Sequence, residues 1–215
     1  MRSTGISFDG LLHYDAVFNK KHHVTGLLGY EYYQRDNNYF RAENSGFGTD
    51  ATHENNLGGG NAPKMSSSKD RRKDISGFGR VDYSFDDKYL ATVTLRADGS
   101  SKFASGHRFG YFPSVSAGWT LTNEAFMEST REWLDFLKLR VSWGQVGNQN
   151  IDNYQYTAPI KSSTTNYLFG TGLGSANHVW GAYPSPSTPN ENVKWETSEQ
   201  YNIGIDARFS MDAWV

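Results

Sequence analysis

Between Gly79 and Trp119 apolar and polar residues alternate through three successive runs. Val81, Tyr83 and Phe85 share one parity, opposite Arg80, Asp82 and Ser84. After Asp86-Asp87-Lys88, Tyr89, Ala91, Val93, Leu95 and Ala97 alternate with Leu90, Thr92, Thr94, Arg96 and Asp98. The third run sets Tyr111, Val115, Ala117 and Trp119 against Ser114, Ser116, Gly118 and Thr120. A period of two predicts strands with one apolar and one polar face. The same parity recurs in Phe8, Leu12, Tyr14, Ala16 and Phe18, in Val24, Leu28, Tyr30 and Tyr32, in Leu137, Leu139, Val141 and Trp143, and in Trp195, Tyr201, Ile203, Ile205, Ala207 and Phe209. Roughly seven strands result, antiparallel wherever a short turn joins them.

The connections differ in length. Residues 19–22 and 86–88 read as short turns, 99–109 as a medium one, and 41–73 and 145–192 as long polar loops, with a small hairpin around Tyr154 to Ile160. Asn123 to Phe136 reads as a helical link with Asn123 as its N-cap. Short and long ends therefore alternate, as they do in outer-membrane barrels. Alternation within a strand does not decide its solvent, because a soluble sandwich alternates too. The rings at strand ends (Tyr83, Phe85 and Tyr89 around one turn, Tyr111 and Phe112 opening the next strand) match the aromatic girdles of a membrane barrel.

Composition narrows the picture. Of 215 residues 15% are aromatic and 22 are glycine, yet the mean hydropathy is −0.66, so aromatic weight comes without long aliphatic runs. No stretch approaches the roughly 18 apolar residues of a membrane-spanning helix. The opening MRSTGISFDG lacks the pattern of a cleavable leader, which leads us to expect an internal piece of a longer protein or an intracellular chain. Zero cysteines exclude disulfides and thiolate metal sites. A net charge of −2 with scattered Lys and Arg gives nucleic acid no binding stripe. The densest basic run, Lys69-Asp70-Arg71-Arg72-Lys73, reads as a solvated junction between loop and strand.

Five motifs, in order, are more specific. They are Asp86-Asp87-Lys88-Tyr89-Leu90, the run from Arg96 through Asp98-Gly99-Ser100-Ser101-Lys102 to Phe103, Gly110-Tyr111-Phe112-Pro113-Ser114-Val115-Ser116-Ala117-Gly118-Trp119, the run from Leu137 through Trp143-Gly144-Gln145-Val146-Gly147-Asn148 to Gln149, and Pro189-Asn190-Glu191-Asn192-Val193-Lys194-Trp195-Glu196 continuing to Gln200. Together they resemble the barrel region of the SusC/RagA family of TonB-linked outer-membrane transporters, over Ile75 to Phe209. The resemblance implies an all-β fold: an antiparallel transmembrane β-barrel segment, seven strands of a barrel of about 22, with long extracellular loops. Residues 1–215 are then expected to be a partial barrel domain lacking the plug, the signal peptide and the C-terminal strands, with Phe209 to Val215 a mid-barrel turn. It further implies import of oligosaccharides or peptides across the outer membrane of a Gram-negative, Bacteroidetes-like cell. The implied partners are a SusD-like surface lipoprotein, TonB through the N-terminal region, the ligand and outer-membrane lipid. The second reading is a soluble all-β carbohydrate-binding module.

The matched motifs read as construction. Pro113 lacks a donor and belongs at a bulge or edge, Gly118 and Gly144 are expected to make room beside Trp119 and Trp143, and Asp98-Gly99 supplies a turn. His22 and His23 are adjacent and point to opposite faces, and His13, His53, His107 and His178 are isolated, so no metal site is expected. Asp36 to Asn38 and Asp50 lack a calcium-loop pattern. No nucleophile elbow, phosphate loop or dinucleotide fingerprint is present, and Glu196 and Glu199 fall on opposite faces, so neither an enzyme nor a cofactor is expected. The ligand-contact candidates are rings of the last long loop: Tyr154, Tyr156, Tyr167, Phe169, His178, Trp180 and Tyr183. Their alternative role is to pack that loop onto its neighbours.

Overall fold

A computed structural model describes residues 1–49, 51, 56–158, 160–168, 178–184 and 188–210, without side chains for 160–168 and 178–184. Asp50, His53, Phe169 and the expected turn after Ser210 lie outside the described residues. Seven strands form one antiparallel sheet: β1 (Arg2–Phe18), β2 (His22–Glu43), β3 (Lys64–Phe85), β4 (Tyr89–Ser100), β5 (Phe109–Thr120), β6 (Leu134–Asn148) and, next to β6, β9 (Glu196–Phe209). A separate hairpin, β7 (Ile160–Leu168) with β8 (His178–Pro184), interrupts the β6 to β9 connection. No helix among the described residues is long and apolar enough to cross a membrane.

Two hairpins are closed by near-identical turns. In Phe18-Asn19-Lys20-Lys21 and Phe85-Asp86-Asp87-Lys88 both central residues have positive φ, between 49° and 55°, and the Lys amide donates back to the Phe carbonyl. Positive φ at both central positions defines the type I′ turn, whose twist suits a tight hairpin and which Asn and Asp tolerate. These turns and the β5–β6 link join strands at one end of the sheet, and the β2–β3, β4–β5 and β6–β9 connections leave from the other.

The register carries the expected parity across every strand. One row runs Phe18, His22, Phe85, Tyr89, Trp119, Leu139, Ile205, and another Tyr14, Gly26, Val81, Val93, Val115, Trp143, Tyr201. This apolar face is bare: Leu12 is 66% exposed, Val93 56% and Ile203 88%. The buried apolar residues of the described chain are only Phe103, Ala104, Phe112 and Leu134. A sandwich would cover such a face with a second apolar sheet. The sheet instead has the single-layered wall of a barrel, with its apolar face turned to lipid.

Rings edge this face at two levels. Near the tight turns Phe85 stacks on Tyr89 (centroids 6.3 Å) and Tyr89 on Trp119 (6.2 Å). Near the long loops the row is Phe8, Tyr32, Ile75, Gly99, Phe109, with the Phe109 ring lying over the space a side chain at Gly99 would need. On β2 the two girdles are ten residues apart, about 33 Å along the strand and about 25 Å in height at a 40° tilt, which is the height of a barrel's lipid band.

Several expectations need correction. The loop expected over 41–73 is shorter, because β2 runs to Glu43 and β3 starts at Lys64, a ladder of 22 residues on each strand. Beyond the membrane both faces are wet, so backbone pairing persists after alternation ends. The basic run 69–73 consequently sits inside β3. The link over 123–136 is not an α-helix: two 3-10 turns, Leu121–Asn123 and Ala125–Thr130, precede β6. Asn123 closes the first turn instead of capping a helix, and its amide donates to the Asp87 carbonyl across the link. Residues 153–156 form a turn, and the hairpin of this region is β7–β8. Gly118 and Gly144 make room for Lys138 and Ser114 on the polar face, because their parity is opposite to that of the tryptophans. Pro113 stands where the β5–β6 ladder ends at Ser114 and Gly144, so its missing donor costs no sheet bond there.

Candidate functional site

The polar parity gathers charge on the other face. Arg80 binds Asp82 (2.7 and 2.8 Å), which also accepts from Thr92 on β4 (2.6 Å) and Thr25 on β2 (3.3 Å). Nearer the long loops Arg96 bridges Asp98 (2.8 Å) and Glu31 (2.8 Å), its guanidinium 5.5 Å from the Phe78 ring centre. That ring fills the space left by Gly29. Arg140 faces Asp206 at 3.2 Å, and His23 faces Asp15 at 3.1 Å. His22 points the other way, its Nδ1 2.7 Å from Tyr83 Oη. Among the hollows of this face are two that these charges line. A trough of about 610 Å³ is lined by His23, Asp82, Thr92, Lys138, Arg140 and Asn202. A cleft of about 410 Å³ nearer the loops is lined by Asp74, Arg96, Asp98, Gln145, Gln149 and Trp195.

The sequence motifs converge on that cleft. Above Ser114 β5 and β6 part, and the Phe112 ring occupies the space beside Gly147, where an added Cβ would collide with it. Trp195 packs on Phe112 (5.5 Å, edge-on) and Phe103 (5.1 Å), and its indole donates to the Arg108 carbonyl at 3.0 Å. Phe103 is fully buried. Beside this cluster, in the amide orientation that satisfies its partners, Gln149 donates to Asp74 Oδ1 (3.3 Å) and Ser100 Oγ (2.6 Å) and accepts from Arg72 Nη2 (2.9 Å). Lys102 donates to the Gln149 carbonyl at 3.2 Å. Burial, with Arg72 adding repulsion, holds the Lys102 ammonium below the usual lysine range. Motifs distant in sequence thus form one clamp holding the long loops to the wall.

The ring candidates of the last loop separate. Tyr154, with φ 64°, places its hydroxyl 3.2 Å from both the amide nitrogen and the carbonyl oxygen of Arg71, and Asn153 donates to Asp70 at 3.0 Å. β3 outruns β4 here, so its edge is open and this turn covers it. Tyr156 is half-buried in the same turn. Tyr167 pairs with Val179, Leu168 with His178, Asn166 with Trp180, and Lys161 with Tyr183, so four candidates share the β7–β8 hairpin. Sequence reasoning missed Asp74, Arg96, Gln149 and Trp195 as lining groups. For Asp74 and Arg96 the signal was charge on the polar parity of neighbouring strands, whereas Gln149 and Trp195 lie just outside β6 and β9, where parity says nothing. No cluster of metal-ligating side chains occurs among the described residues.

Comparison with known proteins agrees with this geometry. A sequence model of the TonB-dependent receptor-like β-barrel matches residues 3–215. A TonB-dependent receptor of Formosa agariphila is 31% identical over 96% of this chain and 20% of its own length. The TonB-dependent receptor SusC of Bacteroides thetaiotaomicron is 38% identical over 63% of this chain and 13% of its own. The structure of the RagAB peptide transporter superposes with a TM-score of 0.80 at 27% identity, covering 96% of this chain and 22% of the RagAB chain. The chain spans about a fifth of the length of such relatives.

Proposed function

Since the chain belongs to the TonB-dependent receptor β-barrel family and is of SusC/RagA type, we propose that it forms part of the wall of an outer-membrane importer of oligosaccharides or peptides. The observation that carries this reading is the pairing of a bare apolar face, girdled by rings ten residues apart on β2, with a charged, concave opposite face. A sheet of this kind closes into a barrel only with further strands of the same domain, and the plug and TonB-contacting segment belong to other parts of the longer transporter. Substrate is held at the mouth under a SusD-like lipoprotein, and energy delivered through TonB moves the plug. The charged face lines the lumen and meets plug or passing substrate.

Within this reading the long loops meet the ligand. Tyr156, Tyr167, His178, Trp180 and Tyr183 supply ring faces for sugars or peptide side chains, whereas Tyr154 anchors the loop. Cells lacking the transporter that carries this sequence should lose uptake of labelled oligosaccharide or peptide, and cells lacking TonB should lose it equally. Unimpaired uptake of both ligand classes in the first strain would refute the proposal.

A further inference from the structure

The lipid-facing parity continues above the upper girdle and becomes basic. Beyond Ile75 on β3 come Lys73, Arg71 and Lys69, all exposed, while the intervening Arg72 and Asp70 are half-buried on the other face. In register the next rows are Ile6, Gln34, Lys73, then Thr4, Asp36, Arg71, then Arg2, Asn38, Lys69. Four cations therefore share this patch with one carboxylate. Asp36 is spent on Arg71 (2.5 Å), and Lys69 and Lys73 have no ion pair among the described residues. We propose that this patch docks the phosphorylated headgroup of a glycolipid in the leaflet on the long-loop side, an inference that rests on the barrel reading above.

Position favours lipid over a soluble anion. The patch looks outward, in line with the apolar face and directly above Tyr32 and Ile75. Anything bound there has its apolar part against the girdle. Height selects the class of lipid. At about 3.3 Å per residue and a 40° tilt, Lys73, Arg71 and Lys69 stand about 5, 10 and 15 Å above Ile75. A phospholipid headgroup layer is only about 5–8 Å deep per leaflet, so it reaches Lys73 and leaves Lys69 in water. A glycolipid with phosphates spread over sugars spans the whole ladder, and each cation near such a surface adds attraction.

The test uses the transporter carrying this sequence, purified in neutral detergent and mixed with a bisphosphorylated disaccharide lipid or its dephosphorylated counterpart, with retained lipid counted by native mass spectrometry. The phosphorylated form should be retained preferentially, and a Lys69→Gln/Lys73→Gln variant, which leaves the Asp36–Arg71 pair intact, should retain it about tenfold less. Asp36→Asn should retain more, an increase that misfolding does not produce. Equal retention by the lysine variant, or displacement of the lipid by excess inorganic phosphate, overturns the proposal. The barrel reading fails separately, through loss of the alternating lipid exposure of β4.

Discussion

The Tyr154 hydroxyl closes both hydrogen-bonding groups of one residue of an open strand edge, accepting from the Arg71 amide and donating to its carbonyl, each at 3.2 Å. A ring expected to contact ligand is thus hydrogen-bonded into the frame that holds its own loop to the wall. Tyr154→Phe should cost the loop about 1 kcal/mol. Hydrogen exchange should speed up at the Arg71 amide and across residues 149–158, with ligand affinity falling only as far as the loop loosens. Unchanged exchange with a large loss of affinity would return Tyr154 to the contact set.

At Gly147 a methyl group cannot be added without moving the Phe112 ring. Gly147→Ala should destabilise the loop clamp by about 1–3 kcal/mol through overpacking. It should also alter the emission of Trp195, isolated by difference against Trp195→Phe. Phe112→Leu in the Gly147→Ala background should restore part of the stability. Unaltered Trp195 emission would place the indole elsewhere.

At the opposite end Glu124 gathers the turn side. Hydrogen bonds from Tyr89 Oη (2.7 Å) and Trp119 Nε1 (3.1 Å), with Lys88 at 3.3 Å, hold its carboxyl below the ordinary glutamate range, and the same contact raises Lys88. A carboxyl lowered by folding stabilises the fold above its unfolded value of about 4.3, and that stabilisation is lost as pH falls through the lower folded value. Melting followed between about pH 6 and pH 3 should therefore show a decline that Glu124→Gln removes in part. A variant with an identical pH profile would show that the contact adds nothing.

Legibility in the sequence followed the solvent. From Gly79 to Trp119 each strand has lipid on one face and a polar lumen on the other, so parity alone placed β4, β5 and the lower half of β3. The upper half of β3 was hidden because water bathes both faces there, and Lys69–Lys73 looked like a loop edge although it pairs residue by residue with Asn38–Gln34. Asn123 looked like a cap because local pattern cannot reveal that its partner is the Asp87 carbonyl, 36 residues away. The Phe103–Phe112–Gly147–Trp195 clamp was present as separate motifs, and only the parting of β5 and β6 above Ser114 brings them together.

With any cysteine elsewhere in the transporter replaced, a single nitroxide label can be walked through Leu90 to Ala97, in a stretch that itself contains no cysteine, in the membrane-embedded protein. Exposure to lipid-dissolved oxygen should peak at positions 91, 93, 95 and 97, with a water-soluble nickel reagent favouring 90, 92, 94 and 96. Flat profiles, or oxygen peaks on the even positions, would contradict the assignment of this face to lipid and with it the place of the sheet in an outer-membrane barrel.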